Sequence, residues 1–280
     1  MGGFLVEFND MDKKYPKIGL ALGSGGVRGY AHIGVIKKLE ENNIPIDFIV
    51  GSSVGAVIGS HYSLFKDIRG LEGLVLSSGW REIFSLVDPS LRGGLIKGEK
   101  IREFFDKNLK GAEFSELKIP FKVIATDLKS GDAVELSNGK ISEAVRASVS
   151  VPVIFKPVLI QGKELIDGGI SNPVPVDTLK NMGADIVIAV NLVNKKSFDE
   201  KLLAKEKSST PQKLISFLYY NLAKKCAESA DFIIEPEVKS SGIIGVKHIL
   251  KGEGKKMILE GEKSTESILP QIKKLICSKD

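Results

Sequence analysis

Five residues, Gly51-Ser52-Ser53-Val54-Gly55, follow the apolar run Phe48-Ile49-Val50 and precede the small, apolar Ala56-Val57-Ile58-Gly59. The pattern predicts a strand, a very tight turn and a helix, with Ser53 at the apex. A G-x-S-x-G turn of this kind holds its serine in a strained backbone conformation and lifts the hydroxyl above the sheet edge. Glycine on either side of the apex avoids a Cβ where strand and helix pass closely. A hydroxyl presented this way is a nucleophile for acyl transfer through a covalent serine ester. Ser52 lies one residue short of the apex. The amide of Val54, at the N-terminus of the following helix, can add to the stabilisation of an oxyanion.

A serine nucleophile needs a base, and the chain holds three histidines. His32 falls on the helix after the first glycine-rich turn, where packing or local capping is expected. His61 lies two turns beyond Ser53 on the next helix and points away from the apex. His248 follows both Ser53 and an acid in chain order, but Gly245-Val246-Lys247-His248-Ile249 has none of the marks of an exposed catalytic loop. Asp167, in Ile166-Asp167-Gly168-Gly169-Ile170, is the better candidate: it ends a strand, and two glycines let the chain turn sharply against another backbone. An ordinary aspartate, with a pKa of about 4, is a weak base for a hydroxyl. Partial desolvation and a hydrogen bond from Ser53 would make it more basic and allow proton transfer concerted with attack.

The turn Gly23-Ser24-Gly25-Gly26-Val27-Arg28-Gly29 supports two chemistries. Its amides can cradle a pyrophosphate at a helix N-terminus, or they can meet a tetrahedral oxyanion. A dinucleotide fingerprint starting at Gly23 would need glycine where Arg28 stands, and an acid where the second strand instead runs into the turn of Ser53. Arg28 is expected to hold the loop or to add positive potential near the oxyanion.

Elements that position these residues are legible in the apolar periodicity. Strands are expected at 17–22, 47–50, 121–127, 132–136 and 185–192, with a hairpin over 158–166 turning at Gln161-Gly162 and a last strand at 232–235. A hairpin-type turn is expected at Asn138-Gly139. Helices are expected at 30–42, over most of 68–109, at 142–148, from Pro211 to Cys226 and at 255–276. Two successive units of strand, glycine-rich turn and helix predict a parallel sheet with right-handed crossovers. On the helix after Pro211, the stripe Leu214, Ile215, Phe217, Leu218, Leu222 and Cys226 is either packed on the sheet or forms a lid facing lipid.

The bulk properties fit one α/β domain of 280 residues with a peripheral C-terminal extension. The net charge of +5 comes from scattered basic residues, and aromatics at 7% are not interleaved with them, so no nucleic-acid footprint is present. A mild preference for anionic surfaces is compatible. Cys226 and Cys277 are far apart with no metal-ligand spacing, so neither zinc nor a disulfide framework is indicated, and a reduced, cytoplasmic protein is expected. No signal peptide is read in the first 17 residues, Val6 stands where a myristoylation motif wants Ser or Thr, and no stretch approaches 18 apolar residues. Any membrane contact is therefore expected to be peripheral.

The three motifs in this order resemble the patatin-like phospholipase family. The likeness runs from about residue 17 to 192 and includes Gly25-Gly26-Val27-Arg28-Gly29, the elbow at Ser53 and the Asp167-Gly168-Gly169 turn. Gly93-Gly94-Leu95-Ile96-Lys97-Gly98, Ala125-Thr126-Asp127 and the segment 144–157 are similar as well. The resemblance implies a three-layer α/β sandwich with a central, mostly parallel sheet flanked by helices, acting on acyl esters of lipids through a Ser-Asp dyad. It assigns Ser53 as nucleophile, Asp167 as general base, and the amides of Gly25, Gly26 and Val27, with Arg28 beside them, as the oxyanion hole. No metal or organic cofactor is implied. One departure lies at position 24, where the family's fullest form, G-G-G-x-R-G, would begin and this chain has Ser24. The organisation expected is a leader over 1–16, a catalytic core over 17–194, and a lid-like helix, last strand and terminal helix over 195–280. A Ser-Asp-His esterase or thioesterase using His248 and a nucleotide-binding protein using Gly23 to Gly29 are the alternatives.

Overall fold

The computed structural model describes residues 15–77, 98–195, 210–238 and 253–279. Successive side chains of a strand point to opposite faces of a sheet, and in the central strands both sets are apolar. From β1 (Ile18–Leu22) and β7 (Ile186–Val190), the side chains of Ile18, Leu20, Leu22, Ile186, Ile188 and Val190 enter one core. Ala21, Val187 and Ala189 enter a second core on the opposite face. A sheet buried on both sides must carry helices on both sides.

The first core is roofed by α1 (Tyr30–Glu41), α2 (Val54–Phe65), α3 (Ile68–Leu76), α4 (Glu99–Asn108), α5 (Ile141–Ser148) and α8 (Gly254–Lys279). The second is covered by α6 (Val176–Asn181), through Val176 and Leu179, and by α7 (Thr210–Ala227), through Ala223 and Ala227. Helix α8 lies along α1, where Lys37 Nζ meets Glu262 Oε1 at 2.8 Å. The result is the three-layer α/β arrangement.

The other strands are β2 (Phe48–Ser52), β3 (Phe121–Asp127), β4 (Ala133–Leu136), β5 (Val158–Ile160), β6 (Lys163–Asp167) and β8 (Phe232–Ile234). The order is β5-β6-β3-β2-β1-β7-β8, with β4 also paired to β3. Strands β3, β2, β1, β7 and β8 are parallel, while β4 and β6 run antiparallel to β3 and β5 antiparallel to β6. The sheet is therefore mixed, with a parallel centre.

Most elements fall where the periodicity places them, and the hairpin turn has positive φ at both Gln161 and Gly162. Asn138-Gly139 does not join two paired strands. The partner of β4 is β3, and the chain reverses between Leu128 and Asp132, where Asp127 Oδ1 accepts from the Lys129 amide and Gly131 takes a φ of 80°. Residues 78–97 of the expected helical stretch lie outside the described residues, as do residues 1–14 of the expected leader and residues 196–209. Helix α7 packs through Tyr219, Ala223, Cys226 and Ala227, whose small alanines allow close approach. Leu214, Ile215, Phe217 and Leu218 of the expected stripe are exposed, each by about half of its surface. Helix α8 contains Pro270 without interruption. Among the described residues no helix is long and apolar enough to cross a membrane.

Candidate active site

Ser53 sits between β2 and α2 with φ 53° and ψ −120°, a conformation non-glycine residues rarely adopt and that costs about 1–3 kcal/mol. Its neighbours show why. A Cβ on Gly55 would lie 1.9 Å from the carbonyl oxygen of Leu22, and one on Gly51 would lie 2.5 Å from the carbonyl oxygen of Gly55. The helix thus starts in backbone contact with both its own strand and β1, and the single residue left to make the turn is strained. Ser53 is 9% exposed, and its Oγ donates to Asp167 Oδ2 at 2.7 Å.

The encounter with Asp167 is arranged by β3. Ser52 pairs with Ile124, and Asp167 pairs with the next residue, Ala125. Strand β4 occupies Val123 to Thr126 on the other side of β3. Strands β2 and β6 therefore follow one another along a single edge of β3 and approach from opposite directions. Their ends meet, and the residues at those ends are the alcohol and the carboxyl group.

Asp167 is itself fixed on all sides. Its amide donates to Ser150 O at 3.0 Å, its carbonyl accepts from Thr126 Oγ1 at 2.8 Å, and its Oδ1 accepts from the Gly169 amide at 2.8 Å. Burial pushes its carboxyl up to about 6, against the opposing pull of the hydrogen bonds from Ser53 and Gly169. Among the described residues no cation pairs with it. At neutral pH the group is mostly ionised and more basic than an ordinary aspartate.

The glycine-rich turn runs as a short 3-10 helix, Gly26–Gly29, beside the same elbow. Gly26 has φ 59°. The carbonyl of Gly25 points back to accept from Arg28 Nε at 3.0 Å, so Arg28 holds the loop, and burial lowers its pKa. Among the described residues none accepts a hydrogen bond from the amides of Gly25, Gly26 or Val27. An apolar crevice lined by Val27, Tyr30, Ile33, Val54, Ile58 and Val75 lies alongside.

The two described histidines are elsewhere. His32 Nε2 bonds Gly23 O at 2.7 Å, and burial pushes its pKa down to about 4, so it is a neutral brace for the turn. His61 packs against Phe65 with the two rings tilted by 53° and their centroids 4.6 Å apart. His248 lies outside the described residues.

A family model described as patatin-like phospholipase matches residues 20–180, more than half of the chain. The chain belongs to the patatin-like phospholipase family. Among curated relatives of this patatin-like protein, an uncharacterized NTE family protein of Mycobacterium bovis is 39% identical over 178 residues, covering 63% of this chain and 49% of the relative. Lysophospholipase nte1 of Aspergillus fumigatus is 33% identical over 181 residues, covering 62% of this chain and 12% of the relative. The matched region thus spans about half of the mycobacterial protein and a small part of the fungal one. Among solved structures, VipD from Legionella pneumophila superposes with a TM-score of 0.57 at 15% identity, over 90% of this chain and 67% of that chain, a likeness of fold.

Several residues around the patatin-like site carry no obvious chemical signature in the sequence. Thr126, Ser148 and Ser150 look like ordinary small polar residues, yet they fix the backbones of Ser53 and Asp167. The signal available for them is position: two lie in the segment 144–157 and one at the end of a β-prone run. Arg146, 2% exposed, donates to Gly98 O and to Ser150 Oγ and lies over the Phe155 ring.

Proposed function

We propose that the protein is a lipid acyl hydrolase working through Ser53 and Asp167, of phospholipase A or lysophospholipase type. The single observation that carries this is the 2.7 Å hydrogen bond from the strained Ser53 hydroxyl to a buried carboxylate raised to about 6. As Ser53 Oγ attacks the ester carbonyl, Asp167 takes its proton, and the carbonyl electron pair moves onto oxygen. Amides of Gly25, Gly26 and Val27, with Arg28 behind them and the Val54 amide at the helix N-terminus, receive that negative charge. Each such donor contributes roughly 3–4 kcal/mol in acyl transfer. Collapse expels the alcohol, which takes the proton from Asp167. Water, deprotonated by the same carboxylate, then attacks the serine ester, and Ser53 Oγ leaves with the proton returned from Asp167 as the fatty acid is released.

Val27 and Val54 put apolar side chains beside the elbow and the glycine-rich turn, a surface compatible with an acyl group. No cofactor enters the scheme. For access to aggregated lipid we assign the exposed face of α7, Leu214, Ile215, Phe217 and Leu218, with Lys224 and Lys225 further along the same helix. Contact of this kind would be peripheral.

Profiling hydrolysis over phospholipids, lysophospholipids, acylglycerols and thioesters, with Ser53→Ala as the blank, tests the reading. Release of fatty acid that disappears in the blank is expected. Release that persists in it, or none from any acyl ester, contradicts it. Tight binding of NAD or ATP without labelling of Ser53 by a fluorophosphonate would favour the nucleotide alternative, and loss of activity in His248→Ala would favour the triad.

A further inference from the structure

Helix α7 comes from a part of the chain beyond the family match, yet it reaches the centre of the site. Tyr219 Oη and Ser24 Oγ are 2.5 Å apart. Ser24 is 1% exposed, its amide donates to Pro173 O at 2.8 Å, and its hydroxyl donates to the same carbonyl at 3.3 Å. The serine hydroxyl and the phenol thus share one hydrogen bond. The pair presses directly on the aspartate turn: a Cβ on Gly169 would fall 2.6 Å from Tyr219 Oη and 2.9 Å from Ser24 Oγ. Gly169 is the residue whose amide holds Asp167 Oδ1. Burial raises the pKa of Tyr219, and so does the charge of Asp167, while Ser24 and Arg28 pull it back. The phenol therefore stays neutral while sitting within electrostatic reach of both the base and the loop arginine.

We propose that Tyr219 is a positioning residue of the hydrolytic site, its hydroxyl clamping Ser24 so that the Gly25 to Val27 amides and the Asp167 turn keep one fixed separation. The inference rests on the hydrolase reading above. It accounts for the departure at position 24: a glycine there would leave the phenol without this hydrogen-bond partner, and a serine supplies one. Oxyanion donors are effective only when held to within about half an ångström of the developing charge. Ser24 directly precedes those donors, and Gly169 directly supports the base, so one hydroxyl pair sets the distance between the two halves of the site. In this arrangement Tyr219 touches no reacting atom.

The test is a double-mutant cycle on the full-length protein with Ser24→Ala and Tyr219→Phe, read on a soluble short-chain ester and on the rate of Ser53 labelling by a fluorophosphonate. Each single variant is expected to lower kcat about tenfold with KM within about twofold, the size of one lost hydrogen bond in a preorganised network. Labelling should slow by a similar factor, because the phosphoryl oxygen enters the same amide donors. The double variant should be no slower than either single one, since the two hydroxyls act as one unit. An unchanged kcat in Tyr219→Phe, a rise in KM alone, multiplying effects, or unaltered labelling would each overturn the proposal. Thermal melting accompanies every variant, and if Tyr219→Phe does not fold, Ser24→Ala decides alone by the same kcat and labelling criteria. Wild-type protein without Ser53-dependent hydrolysis would instead remove the hydrolase reading itself.

Discussion

The backbone amide of Ser53 donates to Ser148 Oγ at 2.8 Å, and that hydroxyl in turn donates to Ile124 O at 2.6 Å. The Ser53 N–H is therefore committed to the scaffold. Under the proposed mechanism, charge on a tetrahedral intermediate is expected to go to amides elsewhere, and the turn of Gly25 to Val27 has amides without described acceptors. Ser148 also ties the elbow to β3, the strand that sets the approach of Asp167.

Ser148→Ala removes the acceptor of the Ser53 amide, and the donor to Ile124 O, in a buried site. A loss of about 1–3 kcal/mol in chemical denaturation is expected. Because the strained turn loses its anchor, kcat should fall more than KM rises. Equal stability and equal kcat in the variant would show that the elbow does not depend on this bond.

The raised carboxyl of Asp167 fixes two pH dependences. On the proposed mechanism activity requires the ionised form, so kcat/KM should fall about tenfold per pH unit below about 6. For stability the sign is opposite: a pKa raised above the unfolded value of 3.8 means that folding favours the protonated form. That contribution is complete below about 4 and lost as pH rises through 6. Asp167→Asn should therefore gain stability over wild type at pH 8, by up to about 3 kcal/mol, and little at pH 4. Denaturation of both proteins at the two pH values checks the sign.

Gly55 is required by space. Its Cβ would collide with the backbone of Leu22 at 1.9 Å, and Gly55→Ala should cost about 2–4 kcal/mol or block folding. Gly73, inside α3, faces open space. There alanine should stabilise by about 0.5–1 kcal/mol through helix propensity. Urea denaturation of the two variants measures both effects.

Much of this was readable from residue order. The nucleophile turn, the aspartate turn and the buried parallel strands each have a local pattern, because steric crowding at Gly51 and Gly55 and two-faced burial act on neighbouring residues. The braces were not readable. Ser148 meets Ser53 across 95 positions and Tyr219 meets Ser24 across 195, and no periodicity encodes such pairs. The register on β3 that joins Ser53 to Asp167 is likewise a tertiary fact. Helix α6 has no periodic signature, because six residues after Pro173 and Pro175 are too few to show a helical period. On α7 the large residues form the visible stripe, whereas alanines at 223 and 227 make the contact.

The exposed face of α7 has a separable test. Leu214→Ser, Phe217→Ser and Leu218→Ser should each alter stability by no more than about 0.5 kcal/mol, because the side chains are about half exposed or more. Sedimentation with anionic phospholipid vesicles should drop in the triple variant, while hydrolysis of a soluble ester is retained. Unfolding of the triple variant would show that this face is covered within the protein.

The dyad is tested most directly by fluorophosphonate labelling followed by peptide mass analysis, comparing wild type with Asp167→Asn. One adduct on Ser53 is expected in wild type, with labelling at least about 100-fold slower in the variant, since general-base assistance contributes roughly that much or more. Labelling of another residue, or Asp167→Asn reacting at the wild-type rate, would contradict the account.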